Sequence, residues 1–168
     1  MFKSIFSAFI ATTLTIVPGF TRVEEETGEL LRLLADTGIP VVINDSPHCE
    51  SGNYLGMYEF AGMKRSVHLC PGDSVDAIDH ATVRHEAWHA IQHCVNVARG
   101  TSVDKPIISM DDLVKSVNEN LPQDMVTAIK RAYPQDQWPV EFEAFVAQET
   151  MTATDIIKLY KEACLADY

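Results

Sequence analysis

The sequence predicts an α+β fold in one domain, and three observations support this prediction. The chain has 168 residues, 46 % of them hydrophobic, so it can bury one sizeable core, whereas two domains would be cramped. Short apolar segments bounded by turn residues indicate strands in the first half, and apolar residues at helical spacing dominate the second half. Strands followed by helices are typical of an α+β protein with a small antiparallel or mixed sheet.

The first residues have the layout of a secretory signal peptide. Lys3 precedes an uncharged apolar stretch, Ile5 to Val17, which ends at Pro18-Gly19. This stretch is shorter than the roughly 20 residues that span a membrane. No A-x-A cleavage site stands out, so residues 1–22 are predicted to be a signal peptide or a retained N-terminal anchor, with an ordinary buried helix as the alternative. Residues 23–168 are the predicted single domain of a secreted or periplasmic protein.

Export changes the interpretation of the four cysteines. An oxidising compartment favours disulfides, and four cysteines allow three pairings. Cys49 and Cys70 flank a predicted hairpin region, whereas Cys94 and Cys164 end two predicted helices. We therefore expect the pairs Cys49–Cys70 and Cys94–Cys164. Reduced core cysteines are the alternative if the chain stays in the cytosol.

The predicted elements of the first half are one helix and three strands. In "TRVEEETGELLRLLADTGI", leucines set against acidic residues indicate an amphipathic helix that ends at Thr37-Gly38. "PVVIND" is predicted to be a short strand, followed by the turn-rich loop "SPHCESGN". "YLGMYEF" and "RSVHLC" are predicted to be two further strands joined by the turn "AGMK".

Helices are predicted throughout the second half. The longest runs from Val75 to about Ala98, with a broad apolar stripe and with Gly100 as its stop. Four shorter helices follow, and Pro139 has a favoured first-turn position in the third of them. These four segments are "MDDLVKSVNEN", "LPQDMVTAIKRAY", "QWPVEFEAFVAQET" and "TATDIIKLYKEACLADY".

One stretch of the longest helix, "VRHEAWHAIQHC", carries a candidate metal site. His85 and His89 are four residues apart, so on a helix their imidazoles project from one face and can bind one Zn²⁺. Glu86 lies beside that face and can take a proton from a metal-activated water without binding the metal. The H-E-x-x-H pattern therefore predicts zinc-dependent hydrolysis with Glu86 as the general base. A histidine-rich helix without metal is the alternative.

Two histidines leave a catalytic zinc one protein ligand short, because such sites usually have three. In the metzincin arrangement a third histidine lies six residues after the second, but that position is Val95 here. His93 follows His89 on the same helix face, and three histidines along one helix would not surround a metal ion. A downstream glutamate is the remaining candidate. Glu141 and Glu143 point about 200° apart on a helix, so only one of them can face the metal, and the other is expected to be solvated.

HEAWH followed downstream by a helix with E-x-x-A resembles the gluzincin group of zincin metallopeptidases. The resemblance implies a zincin-like fold, cleavage of peptide bonds and Glu141 as the third zinc ligand, with Glu143 as the alternative ligand. Ala144 matches the small residue of the family's E-x-x-A-D pattern. Phe145 stands where many members have an aspartate that orients a ligand histidine. The resemblance also implies that an edge strand, "YLGMYEF" or "RSVHLC", pairs with an extended substrate.

The net charge of −11 argues against nucleic acid or an anionic membrane surface as a partner, because both would be repelled. The predicted partner is a peptide or protein substrate, and the charge weakly favours cationic peptides. Tyr133 and Tyr160 are candidate hydrogen-bond donors to an oxyanion. A non-catalytic exported protein is the alternative function. There, a fourth protein ligand such as His93 or Glu143 would close a structural zinc site.

Overall fold

The fold is known from a computed structural model that describes residues 22–44, 49, 55–61, 64–72, 78–102 and 105–165. These residues form six helices and three strands, so the predicted α+β class is confirmed, with helices predominating. The elements are α1 (Arg22–Asp36), β1 (Val41–Ile43), β2 (Gly56–Ala61), β3 (Lys64–Leu69), α2 (His80–Ala98), α3 (Met110–Asn120), α4 (Gln123–Ala132), α5 (Trp138–Thr150) and α6 (Ala153–Cys164).

The sheet is mixed and has the strand order β1-β3-β2. β3 pairs in parallel with β1 and antiparallel with β2, and its alternation buries Val67 and Leu69 on the face that joins the core. Because β3 is paired on both sides, the expectation that "RSVHLC" is a substrate-binding edge strand is wrong. β2, which contains most of "YLGMYEF", lies at the edge of the described sheet and contacts α2.

The core lies where α1, α2, α6 and the sheet meet. α2 occupies its centre, because it packs against α1, α5, α6 and the two longer strands. Its middle is buried on almost every side, so the polar side chains there must find hydrogen-bond partners inside the protein. The largest fully buried apolar side chains of this core are Leu30, Leu34, Ile39, Leu69, Ile91 and Ile156.

α2 begins at His80 rather than at the predicted Val75. The carboxylate of Asp79 accepts hydrogen bonds from the backbone N–H groups of Ala81 and Thr82, and this cap fixes the first turn. Residues 73–77 lie outside the described residues. The end agrees with the prediction, because Gly100 has a φ of 65° and lets the chain turn back onto the last carbonyls of the helix.

Two disulfides join distant parts of the chain, and both predicted pairings are confirmed. Cys49 is bonded to Cys70, and Cys94 of α2 is bonded to Cys164 of α6. Disulfides fit an exported protein, because they persist in oxidising compartments. No helix in the described ranges is long and apolar enough to cross a membrane. The predicted leader, residues 1–22, lies outside the described residues apart from Arg22.

We expect the Cys94–Cys164 disulfide to stabilise the fold more than the Cys49–Cys70 disulfide. The sequence separations are 70 and 21 residues, and a longer cross-linked loop restricts the unfolded chain more. On chain entropy alone, the losses in the free energy of unfolding would be about 4 and about 3 kcal/mol. Urea unfolding of the two double Cys→Ala variants measures both losses, and the opposite order would contradict this expectation.

Candidate metal centre

Three side chains from two packed helices converge on one point. His85 and His89 lie one turn apart on α2, and Glu141 comes from the first turn of α5. Their donor atoms all lie within 4.8 Å of one another. The two histidine Nε2 atoms are 3.1 Å apart. Glu141 places Oε2 at 3.3 Å from His85 Nε2 and Oε1 at 3.7 Å from His89 Nε2.

These separations fit ligands of a single metal ion. Ligands at roughly 2.0–2.1 Å from a tetrahedral Zn²⁺ lie about 3.4 Å from one another. Glu141 Oε2 is buried and makes no hydrogen bond to a described residue, so it is an acceptor that a metal ion would satisfy. Two imidazoles and a carboxylate are also donors that divalent transition metals accept. The group can therefore hold a metal ion.

The charges around this group favour a cation. Burial by itself would raise the pKa of Glu141, but the neighbouring imidazoles of His85 and His89 lower it to about 2. Burial would lower the pKa of His89, but the carboxylates of Glu141 and Glu86 raise it to about 9. Both shifts have the same origin, since buried carboxylates stabilise positive charge beside them.

Glu143 points away from this group, as helical spacing requires. It is buried, and its oxygens accept hydrogen bonds from the backbone N–H groups of Ile107 and Ile108. The side-chain amide of Gln92 donates a further hydrogen bond to Glu143 at 2.7 Å. The geometry thus favours Glu141 over Glu143 as the third ligand. The expectation that the other glutamate is solvated is wrong, because backbone and amide donors surround it.

The two histidines are oriented by different contacts. His89 Nδ1 lies 2.7 Å from Gln92 Oε1, which leaves Nε2 to face the other donors. His85 packs edge-on against Phe145, with ring centroids 4.4 Å apart, and its buried Nδ1 has no hydrogen-bond partner among the described residues. Phe145 therefore contacts the histidine through its ring. Sequence reasoning missed Gln92, although its position three residues after His89 places it next to that ring on a helix.

Glu86 lies next to the histidines and connects α2 with the edge of the sheet. Burial raises the pKa of Glu86, and the nearby imidazoles and the backbone N–H of Tyr58 only partly offset this effect. Gly56 of β2 packs directly against this region. A Cβ atom at Gly56 would lie 2.5 Å from Thr82 Cγ2 and 2.9 Å from Glu86 Oε1. Only glycine lets β2 approach α2 this closely.

A cavity of about 210 Å³ opens beside His85 and Glu86, and Tyr133 and Phe145 line it. Tyr160 lies elsewhere, in the core, where its hydroxyl is 2.9 Å from Thr37 Oγ1. Of the two tyrosines considered as oxyanion donors, only Tyr133 therefore borders the candidate centre.

His93, a candidate fourth ligand, also lies outside the donor group. Its ring packs edge-on against Tyr58 and Phe60 of β2, with centroid distances of 5.9 and 5.1 Å. The contact places His93 between α2 and the sheet rather than beside His85 and His89. Among the residues that the structure describes, three side chains thus form the donor group.

No protein-family model matches the chain, and no curated protein or solved structure is significantly similar to it. The functional interpretation therefore depends on the geometry of this centre and on the H-E-x-x-H pattern.

We expect Glu141→Ala to lower the affinity for Zn²⁺ more than 100-fold. Loss of a ligand should exceed the roughly 10–100-fold effect of losing an outer hydrogen-bond partner. Competition with a chromophoric chelator measures the affinity. Glu149→Ala, a change at an exposed position of the same helix, is the control and should bind Zn²⁺ like the wild type. Equal affinities of Glu141→Ala and the wild type would exclude Glu141 as a ligand.

We expect Gly56→Ala to lower the free energy of unfolding by about 1–3 kcal/mol, because overpacking has costs of this size. Gly28→Ala in α1 is the matched control, since its added Cβ meets nothing within 4 Å. That change should raise stability by about 0.5–1 kcal/mol, as alanine favours a helix over glycine. Urea unfolding compares the two. A Gly56→Ala variant as stable as the wild type would contradict the close contact of β2 with Glu86.

Proposed function

We propose that this chain is a zinc metallopeptidase of the gluzincin type, in which His85, His89 and Glu141 hold Zn²⁺. The observation that carries the proposal is the open donor group, which has three protein donors among the described residues. Catalytic zinc sites keep a position for water, whereas a fourth protein ligand closes a structural site. The contacts of His93 with β2 and of Glu143 with Gln92 argue against the closed alternative.

When bound, Zn²⁺ polarises the substrate carbonyl and lowers the pKa of the attacking water. Glu86 lies on the cavity wall beside both histidines, where its carboxylate takes a proton from that water and then passes it to the leaving amine. The Tyr58 N–H and the close packing at Gly56 hold this carboxylate in place. Tyr133, on the same cavity wall, is the candidate donor to the carbonyl oxygen as negative charge develops there.

The edge of β2 supports an extended peptide as the substrate. The Cys70 N–H donates a hydrogen bond of 2.8 Å to the Leu55 C=O, so these two opposed residues form a hydrogen-bonded pair. Every second residue of β2 after Leu55 is then hydrogen-bonded to β3, and the residues between them are not. Gly56, Tyr58 and Phe60 therefore direct their backbone polar groups away from β3, and of these groups the Tyr58 N–H already faces Glu86. A peptide can add to this edge as a further strand and reach the cavity beside Glu86. The net charge of −11 favours a cationic peptide.

We expect Glu86→Gln to bind Zn²⁺ as tightly as the wild type and to cleave peptides 10²–10⁴-fold more slowly, because it lacks the general base. Mass spectrometry of a diverse peptide mixture, incubated with the zinc-loaded chain, measures cleavage. Chelator competition measures zinc binding, and Glu149→Gln is the control for both. Loss of zinc from Glu86→Gln would assign Glu86 a different role. Zinc binding without cleavage, even by the wild type, would favour the structural alternative.

A further inference from the structure

We infer that Gln92 and Glu143 act as positioning residues that fix the proton of His89 on Nδ1 and so make Nε2 the metal-binding nitrogen. This inference rests on the proposed metal site. It concerns two buried side chains that do not belong to the donor group, with exposed fractions of 1 % and 2 %. A chain of hydrogen bonds runs from the segment before α3 through Glu143 and Gln92 to His89.

The first step is the fixed acceptor character of Glu143. Its carboxylate accepts hydrogen bonds from the backbone N–H groups of Ile107 and Ile108, at 3.0–3.1 Å. These donors belong to the backbone, so no rotation of a side chain can reverse them. An ionised carboxylate accepts hydrogen bonds and donates none. Among the described residues, the remaining hydrogen-bond partner of Glu143 is the side chain of Gln92, which must therefore face it with a donor.

The second step is the orientation of the Gln92 amide. Gln92 Nε2 lies 2.7 Å from Glu143 Oε2 and 3.0 Å from the carbonyl oxygen of Val140. Both partners are acceptors, so the NH₂ group must point towards them. A flipped amide would place its oxygen against two acceptors. The unflipped amide directs Oε1 to His89 Nδ1, 2.7 Å away.

The third step is the tautomer of His89. Because Gln92 Oε1 only accepts, Nδ1 must carry the proton, and the neutral ring then has its lone pair on Nε2. That nitrogen is the one that faces His85 and Glu141. In the other tautomer Nε2 would carry the proton and would have no lone pair to offer the metal. Glu143 therefore acts on the metal through Gln92 and His89.

This chain of contacts predicts the effect of a nearly isosteric change, Glu143→Gln. The new amide can keep accepting from Ile107 and Ile108 through its oxygen, but it then turns its NH₂ group towards Gln92. Gln92 must flip to accept this hydrogen bond, and its own NH₂ group then faces His89 Nδ1. The lone pair of His89 moves to Nδ1. We expect the affinity for Zn²⁺ to fall about 10–100-fold, as for other outer partners of a ligand histidine.

Exchanging the two side chains, Gln92→Glu with Glu143→Gln, should restore the affinity to within a few-fold of the wild type. The carboxylate now at position 92 accepts from His89 Nδ1, and the amide at position 143 donates to that carboxylate while accepting from Ile107 and Ile108. Of the hydrogen bonds described above, two are lost: the one to Val140 and the one from Ile107 to Oε2, while Ile107 keeps its bond to the other oxygen of residue 143.

Asn96→Ala is the matched control. Asn96 is a buried amide on the same helix, and it donates to the carbonyl of Lys105 at 2.7 Å and accepts from Thr101. It ties α2 to the same connecting segment but does not contact a ligand histidine. Its loss should lower the thermal unfolding temperature and leave the affinity for Zn²⁺ unchanged. The control therefore separates general destabilisation from an effect on the metal.

The experiment measures two quantities on the full chain: the Zn²⁺ affinity, by chelator competition, and the position of the ring proton of His89, by ¹H–¹⁵N NMR of the metal-free chain at a pH at which the imidazole is neutral. We expect a protonated Nδ1 in the wild type and in the exchanged pair, and its loss in Glu143→Gln. An unchanged affinity and spectrum in Glu143→Gln would overturn this inference but not the proposed metal site. A loss of affinity that the exchanged pair does not recover would overturn it too. A wild-type chain that binds no Zn²⁺ would overturn the proposed metal site itself.

Discussion

The burial of polar side chains on α2 is the constraint on which the rest of the structure depends. This helix runs through the core, yet it carries His85, Glu86, Gln92 and Asn96 as buried residues. A buried polar group without a partner is destabilising, so each of them selects its neighbours. Glu86 contacts the backbone of β2. His85 and Gln92 contact polar groups of α5, and Asn96 donates a hydrogen bond to the segment before α3. The donor group of the candidate metal centre is therefore assembled by the same contacts that complete the core.

Two polar clamps set the register of α5 along α2. Near the start of α2, the Arg84 guanidinium donates to the carbonyl of Gln148 at 2.9 and 3.1 Å. Near its end, Gln92 donates to the carbonyl of Val140 at 3.0 Å. The same number of residues separates the two positions on each helix, so the helices run antiparallel without a slip. Glu141 then falls opposite His89 and His85, and a shift of one residue would remove it from the centre.

The sequence revealed those parts of the centre that depend on local spacing. His85, Glu86 and His89 follow from the helical period, and the choice of Glu141 over Glu143 followed from the resemblance and agrees with the geometry. Features that depend on tertiary contacts could not be predicted. Glu143 was expected to be solvated, because its backbone donors come from a segment that no local pattern connects to it.

The same limit applies to the edges of elements. Hydrophobic periodicity extended α2 back to Val75, whereas the Asp79 side chain decides where the helix begins. Alternation alone gave β2 and β3 equal claims to be an edge strand. Only the pairing of β3 with β1 shows that β3 is a central strand and β2 an edge strand of the described sheet. Both outcomes depend on specific hydrogen bonds, of the Asp79 side chain and between β1 and β3, which a pattern of apolar residues does not encode.

Phe145 gains a physical explanation from the charges at the centre. An aspartate at this position would orient His85, but it would place a third carboxylate beside Glu86 and Glu141, which are both buried. If a divalent cation is bound, two carboxylates would balance its charge, whereas a third would leave a net negative charge in a poorly solvated site. The Phe145 ring restrains the His85 imidazole by edge-on packing and also lines the cavity. Packing thus orients one histidine without added charge, while the hydrogen bond from His89 to Gln92 fixes the tautomer of the other.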